Sequence, residues 1–155
     1  MNTLLAEDRI EKEIELKAPR ARVWRALTNH REFSEWFGVN LEGPFVPGGK
    51  TRGQLTVEGY QNLSLEMEVQ KMEPENYFSY TWHPYAIEEG VDYSQETPTL
   101  VEFRLEDVTG GTRLRVTESG FSKVPEARRA LAFRKNDEGW RIQLEDIAQH
   151  VAQNP

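Results

Sequence analysis

The sequence predicts an α+β fold in which a curved antiparallel sheet of six to seven strands wraps around one long C-terminal helix. Residues 136–151 follow the helical period and place four apolar residues on one face: Trp140, Leu144, Ile147 and Val151. The chain before this helix alternates apolar and polar residues in successive segments, which is the pattern of half-buried strands. The apolar face of the helix must be covered, so we expect the sheet to pack on it.

The first predicted elements are one strand and two short helices. Residues 9–17 alternate isoleucine and leucine with glutamate and lysine, which predicts a strand with one buried face. Pro19 opens a short helix at a position that proline tolerates, and residues 28–30 break it. A second short helix covers residues 31–36 and ends at Gly38.

Five further strands follow, each with alternating apolar and polar residues. They cover residues 51–57, 63–71, 77–82, 99–107 and 112–119. The first of them places Leu55 and Val57 on one face. Residues 126–134 predict a weaker helical segment, and Asn136 or Asp137 is the expected N-cap of the long helix.

Residues 84–98 differ from the regular segments around them. They form a long connection that carries four acidic residues, namely Glu88, Glu89, Asp92 and Glu96, together with several apolar ones. Connections of this length in compact domains are often functional lids. We therefore predict that this segment covers one mouth of a cavity and is the most mobile internal part of the chain.

The composition limits the class of protein. The 155 residues predict one domain, residues 1–155, and the net charge of −7 excludes nucleic acid and anionic membrane as partners. Cysteine is absent and the three histidines are far apart, so neither a metal site nor a cofactor is expected. The N-terminal residues lack a secretory signal and no apolar run is long enough to span a bilayer, which predicts a cytoplasmic protein.

Glu118 stands out among the polar residues. It continues the strand phase of Leu114 and Val116 and is predicted to point toward the helix, where a carboxylate is costly unless it is bonded or protonated. It is either the polar anchor or general base of a site, with the Tyr80 hydroxyl or a trapped water as its partner, or a strand-end residue that reaches solvent. His83 is either an acid or base beside the lid or an ordinary surface histidine.

The space between the sheet and the long helix is the predicted ligand cavity. Its walls are expected to be mainly apolar and aromatic, as in most small-molecule sites. The predicted lining residues are Trp36, Phe37, Leu65, Met67, Phe78, Tyr80, Trp82, Val101, Phe103, Val116, Glu118, Trp140 and Leu144. No residue is predicted to be catalytic, and none is predicted to bind a metal.

A set of short motifs occurs in a fixed order along the chain. They are residues 18–28 (APRARVWRALT), Trp36, residues 47–50 (PGGK), Glu73-Pro74, residues 78–82 (FSYTW), residues 111–114 (GTRL), residues 118–121 (ESGF) and Gly139-Trp140. In this order the chain resembles the SRPBCC (START-like, helix-grip) superfamily, and specifically the homologues of the activator of the Hsp90 ATPase. The resemblance covers nearly the whole chain and implies the helix-grip fold, often with an apolar ligand cavity between sheet and helix.

The resemblance implies several functions, because relatives include lipid carriers, cyclases, hormone receptors and chaperone activators involved in the stress response. The leading hypothesis is non-catalytic binding of a small hydrophobic or amphipathic molecule, such as a lipid. The second is an interaction domain for the Hsp90 chaperone, and the third is a cyclase- or hydrolase-like enzyme that uses Glu118 and His83. The expected partners are therefore a small hydrophobic ligand or a chaperone, and the protein is expected to be a monomer or a homodimer.

Overall fold

Seven antiparallel strands form one sheet in the computed structural model, which describes residues 8–88 and 90–155. The strands are β1 (Arg9–Leu16), β2 (Val39–Leu41), β3 (Lys50–Leu55), β4 (Ser64–Glu73), β5 (Tyr77–Trp82), β6 (Thr99–Val108) and β7 (Gly111–Ser119). Their order across the sheet is β1-β7-β6-β5-β4-β3-β2, so the first strand pairs with the last. The predicted N-terminal features of residues 1–7 and the predicted lid residue Glu89 lie outside the described residues.

Two short helices and one long helix pack on the sheet. They are α1 (Arg20–Thr28), α2 (His30–Phe37) and α3 (Glu126–Gln153). The side chain of Asn29 caps α2 by accepting hydrogen bonds from the backbone N–H groups of Arg31 and Glu32. Gly38 ends α2 with a φ of +91°, a conformation that glycine adopts without strain. The predicted helix-grip fold is confirmed.

The C-terminal helix is one continuous element of 28 residues, not the two predicted segments. The prediction that Asn136 or Asp137 caps a separate helix is wrong, because the helix begins at Glu126 and runs through both. The face that the sequence predicts is buried, and it comprises Trp140, Leu144, Ile147 and Val151. Upstream, Phe133 packs edge-to-face on Phe121 with ring centroids 5.2 Å apart, which anchors the additional turns.

The strands differ from the predicted ones in three places. The sequence pattern missed β2, which has only three residues and pairs with β3 at one edge of the sheet. The register of β4 against β5 shifts between Val69 and Lys71, so the regular alternation predicted for residues 63–71 is interrupted by a bulge. The expectation that Val57 shares an inward face with Leu55 is wrong, because β3 ends at Leu55 and Val57 is exposed.

Glu32 of α2 connects the three helices. Its carboxylate accepts a hydrogen bond from Arg25, lies 2.9 Å from the Arg22 guanidinium of α1 and 2.8 Å from Nε2 of His150 on α3. Burial alone would raise the pKa of Glu32, but the bonds from His150, Arg25 and Arg22 lower it below the usual range. The cluster fixes α1 and α2 against the C-terminal part of α3.

Among the described residues, no helix has the length and apolar content needed to cross a bilayer.

Candidate functional site

The space between sheet and helix is filled by side chains. Consecutive inward residues of β5 contact each other, with ring centroids 5.7 Å apart for Phe78 and Tyr80 and 5.2 Å apart for Tyr80 and Trp82. Trp82 in turn stacks on Trp140 of α3 with ring centroids 5.7 Å apart, and Phe103 contacts Trp140 edge-to-face at the same centroid distance. The aromatic residues that suggested a cavity wall therefore pack on one another and form the core.

An open groove lies at the end of the sheet, beside this core. It has a volume of about 590 Å³ and runs between the β3–β4 hairpin and residues 85–88 and 90–94. A shallow pocket of about 100 Å³ adjoins it on α3. Phe37, Trp82 and Asn136 line both, so the two are continuous, and we refer to them together as the groove.

Glu118 lies behind the inner wall of the groove and is completely buried. Its carboxylate accepts hydrogen bonds from four uncharged side chains. Trp140 Nε1 and Asn136 Nδ2 donate to Oε1 at 2.8 and 3.0 Å, while Trp82 Nε1 and Thr99 Oγ1 donate to Oε2 at 2.8 and 2.6 Å. The reading of Glu118 as a rim residue that reaches solvent is wrong, because β7 carries it into the interior without a bulge.

Burial raises the pKa of Glu118 above the usual range for a glutamate, and its four hydrogen bonds oppose that rise. None of these four donors is a cation. The expected Tyr80 partner is not used, since the Tyr80 hydroxyl is buried without a hydrogen-bond partner among the described residues. Burial and the nearby Glu118 both raise the pKa of Tyr80 well above its usual value, so its hydroxyl stays neutral.

His83 follows Trp82 at the end of β5 and lines the groove. It is half-buried, and burial lowers its pKa, which favours the neutral imidazole at physiological pH. It is not one of the four side chains that bond the Glu118 carboxylate. The structure therefore does not connect the two residues that were candidates for acid–base chemistry.

One arginine of α3 ties residues 84–98 to the rest of the protein. Arg128 forms a two-pronged ion pair with Glu96 and donates to the carbonyl oxygen of Pro84 at 2.7 Å. Its guanidinium also lies over the ring of Tyr93, 4.8 Å from the centroid. Tyr85, whose carbonyl oxygen is 3.4 Å from the same guanidinium, has a φ of +50°, an uncommon conformation for a residue with a side chain. We refer to this set of contacts as the Arg128 latch.

A second depression, of about 550 Å³, lies on the outer face of the sheet beside Tyr77 and Arg104. Its walls are polar, and its arginines already pair with carboxylates: Arg104 with Glu102 and Arg115 with Glu13. Because small-molecule sites are mostly apolar, the groove is the better candidate. Among the described residues, no group of three or more histidine, cysteine, aspartate or glutamate side chains is arranged to hold a metal ion.

The sequence profile of the family described as "Activator of Hsp90 ATPase homolog 1-like protein" matches residues 17–152. The chain belongs to this family. No curated protein matches the chain in sequence. The matched range begins at the end of β1 and includes both short helices, the groove and nearly all of α3.

Solved structures similar to this chain share its fold. Protein MLL2253 from Mesorhizobium loti is 26% identical, with 95% of this chain and 98% of that chain covered and a TM-score of 0.74. The Aha1 dimer from Colwellia psychrerythraea is 19% identical, with 92% and 95% covered and a TM-score of 0.69. DynU16, from the dynemicin biosynthetic locus, is 24% identical with a TM-score of 0.70; the match covers 94% of this chain but only 47% of DynU16.

In this family member, the groove contains only some of the residues that the sequence predicted. Phe37, Leu65, Trp82 and Trp140 line it. The others are packed in the core, because their neighbours fill the interior: Trp36, Met67, Phe78, Tyr80, Val101, Phe103, Val116, Glu118 and Leu144.

Several groove residues were not predicted as part of the site. They are Leu55, Leu63, Tyr85, Ile87, Val91, Tyr93, Asn136 and Gln143, among others. Four of these residues are the apolar ones of the acidic segment 84–98, and their presence in that segment was a sequence signal for a binding site. No sequence signal marked Asn136 as a site residue, since its role depends on the distant Glu118.

Proposed function

We propose that this Hsp90-activator homologue binds a small hydrophobic or amphipathic molecule in the groove, without catalysing a reaction. The observation that carries the proposal is the groove itself, whose volume of about 590 Å³ falls within the range of about 300–1,000 Å³ typical of small-molecule sites. Its walls include apolar side chains, with Leu63, Leu65 and Ile87 on one part and the aromatic rings of Phe37 and Trp82 on another, among polar residues such as Asn62 and Ser64.

The site lies at the end of the sheet, where a ligand does not have to displace the aromatic core. Phe37 and Trp82 contact each other, with centroids 5.7 Å apart, and both are held from behind by the packed interior. A rigid aromatic wall reduces the entropy lost when a ligand binds. The opposite wall is formed by residues 85–88 and 90–94, and the Arg128 latch holds this segment in place.

The contacts of Glu118 support a non-catalytic site. A general base needs an oxygen lone pair within reach of the substrate. Both oxygens of Glu118 already accept hydrogen bonds, and the carboxylate is shielded from the groove by Trp82, Trp140 and Asn136. Its role here is to fix these three groove residues.

The test is binding of N-phenyl-1-naphthylamine, an uncharged probe whose emission rises in apolar surroundings. We expect saturable binding to the wild type and a loss of at least about tenfold in affinity for Ala86→Phe, which fills the groove. Ala152→Phe is the matched control, because Ala152 is exposed near the C-terminal end of α3. Equal affinity of all three proteins, or no binding to the wild type, would contradict the proposal.

Membership of the family supports a second candidate function, an interaction with an Hsp90 chaperone. The support is the match of residues 17–152 to the family of activators of the Hsp90 ATPase. The direct test is the ATPase rate of a purified Hsp90 with and without this protein. A rate that rises saturably with its concentration would support the interaction, and an unchanged rate together with no co-sedimentation would exclude it.

A further inference from the structure

The groove has an uneven distribution of charge. None of the described residues that line it is a lysine or an arginine. Two glutamates, Glu66 and Glu88, lie on its rim and are exposed. Arg128, the arginine of the latch, is engaged by the Glu96 carboxylate. A ligand entering the groove therefore meets carboxylates and no free cation along its walls.

The hydrogen-bond donors of the inner wall are also committed. Trp82, Trp140 and Asn136 line the shallow part of the groove, yet their N–H groups donate to Glu118 behind them. Trp82 and Trp140 are only 8% and 3% exposed, so they offer a ligand a small aromatic surface, and the N–H donors of these three side chains point away from it. The Glu118 carboxylate adds negative potential from behind the same wall whenever it is ionised.

We propose that the ligand of the groove is an aromatic molecule without negative charge, either neutral or cationic, and that carboxylates and sulfonates of the same shape are excluded. This rests on the proposed binding function. Aromatic rings fit because the groove is lined by partly exposed aromatic side chains, Phe37, Tyr85 and Tyr93, against which rings pack in offset or edge-to-face geometry. A cation is tolerated because the faces of aromatic rings attract positive charge. An anion gains no ion pair and loses its hydration.

A matched pair of probes tests the charge preference. N-phenyl-1-naphthylamine and 8-anilino-1-naphthalenesulfonate share one aromatic skeleton and differ by the sulfonate. We expect the neutral probe to bind the wild type at least about tenfold more tightly than the sulfonate. The variant Asn62→Lys places a cation among the groove residues and should raise the affinity for the sulfonate relative to the affinity for the neutral probe.

Gln153→Lys is the control for net charge, because it adds the same charge at the exposed C-terminal end of α3, and it should change neither affinity. The outcomes separate the two proposals. If neither probe binds the wild type, the binding function itself fails and this inference fails with it. If the two probes bind equally, or the sulfonate binds more tightly, the binding function stands and the charge preference is overturned.

Discussion

At the scale of single residues, Glu118 has an uncommon position: a fully buried carboxylate whose hydrogen-bond donors are all uncharged. A charge in a low-dielectric interior is costly, and hydrogen bonds from two indoles, a hydroxyl and an amide offset that cost. The four donors come from three elements: Trp82 ends β5, Thr99 begins β6, and Asn136 and Trp140 belong to α3. Satisfying one carboxylate therefore holds β5, β6 and α3 in register at the inner wall of the groove.

The first prediction concerns Glu118→Gln. We expect a loss of about 1–3 kcal/mol of unfolding free energy for each donor left unpaired, because an amide offers one acceptor oxygen where the carboxylate offers two. Burial raises the pKa of Glu118 in the folded protein. The unfolded-state pKa of a glutamate is about 4.3. Between these two pKa values the unfolded state ionises first, so the folded protein loses stability as the pH rises. Glutamine does not titrate, so the difference between the two proteins should shrink as the pH rises above about 4.3, until Glu118 is ionised in the folded protein.

Urea denaturation of both proteins across that range measures the difference directly. Asp8 and Glu32 titrate in both proteins, so their contributions to the pH dependence cancel in the comparison. Hydrogen bonds lower the pKa of each of these two carboxyl groups, although burial alone would raise it. A difference that grows with pH would show that the four hydrogen bonds outweigh burial and that the pKa of Glu118 is lowered instead.

Tyr80 and Tyr77 give a second prediction at this scale. The Tyr80 hydroxyl is buried without a partner among the described residues, so Tyr80→Phe removes an unsatisfied polar group and should leave stability unchanged or raise it by up to about 1 kcal/mol. The Tyr77 hydroxyl donates to Glu102 at 2.5 Å, so Tyr77→Phe should cost about 1 kcal/mol. Thermal unfolding of the two variants compares them, and a larger loss for Tyr80→Phe would contradict the assignment.

At the scale of secondary-structure elements, α3 carries its buried face along most of its length. Leu144 is 3% exposed on the sheet side, whereas Gln149 is exposed on the opposite side. Leu144→Ala should therefore lower the unfolding free energy by about 2–5 kcal/mol, since it leaves a cavity in a packed core. Gln149→Ala should change it by less than about 0.5 kcal/mol. Equal effects in chemical denaturation would refute the packing of this helix on the sheet.

The segment 84–98 depends on α3 through the Arg128 latch. The described residues of this segment form no strand or helix that could hold it in place. In addition, Tyr85 adopts a left-handed backbone conformation, which costs free energy. Arg128→Ala should increase amide hydrogen exchange across residues 84–98 by about tenfold, without affecting β6 or β7. Arg134→Ala, an exposed arginine on the same helix, is the control. Unchanged exchange in Arg128→Ala would mean that other contacts hold the segment.

At the scale of the whole molecule, the sequence was sufficient for the architecture and insufficient for the groove. Alternation at period two predicted the six longer strands, and the phase of β7 correctly placed Glu118 in the interior. The strand Val39–Leu41 was not predicted, because three residues are too few to show a periodic pattern. Asn136 was misread as a cap, because asparagine favours helix starts and nothing near it in sequence reveals its bond to Glu118.

The sequence could not show whether the space between sheet and helix is open or filled, for a different reason. An apolar inward face looks the same in sequence whether it lines a cavity or fills a core. The outcome depends on the summed volume of Phe78, Tyr80, Phe103 and Trp140 against the space that the curved sheet leaves, and that space is a three-dimensional quantity. The path of the described part of residues 84–98 decides where an opening remains, and that path depends on contacts with Arg128, which is distant in sequence.

The shared carboxylate gives the protein a built-in spectroscopic reporter. The chain has four tryptophans, and the indole N–H groups of two of them, Trp82 and Trp140, donate to opposite oxygens of Glu118. In a nitrogen-15 NMR spectrum, the indole resonances of these two residues should shift together when the carboxylate gains or loses its proton, while those of Trp24 and Trp36 serve as internal references. Because Trp82 and Trp140 also line the groove, the same two signals would register an occupant without any label on it.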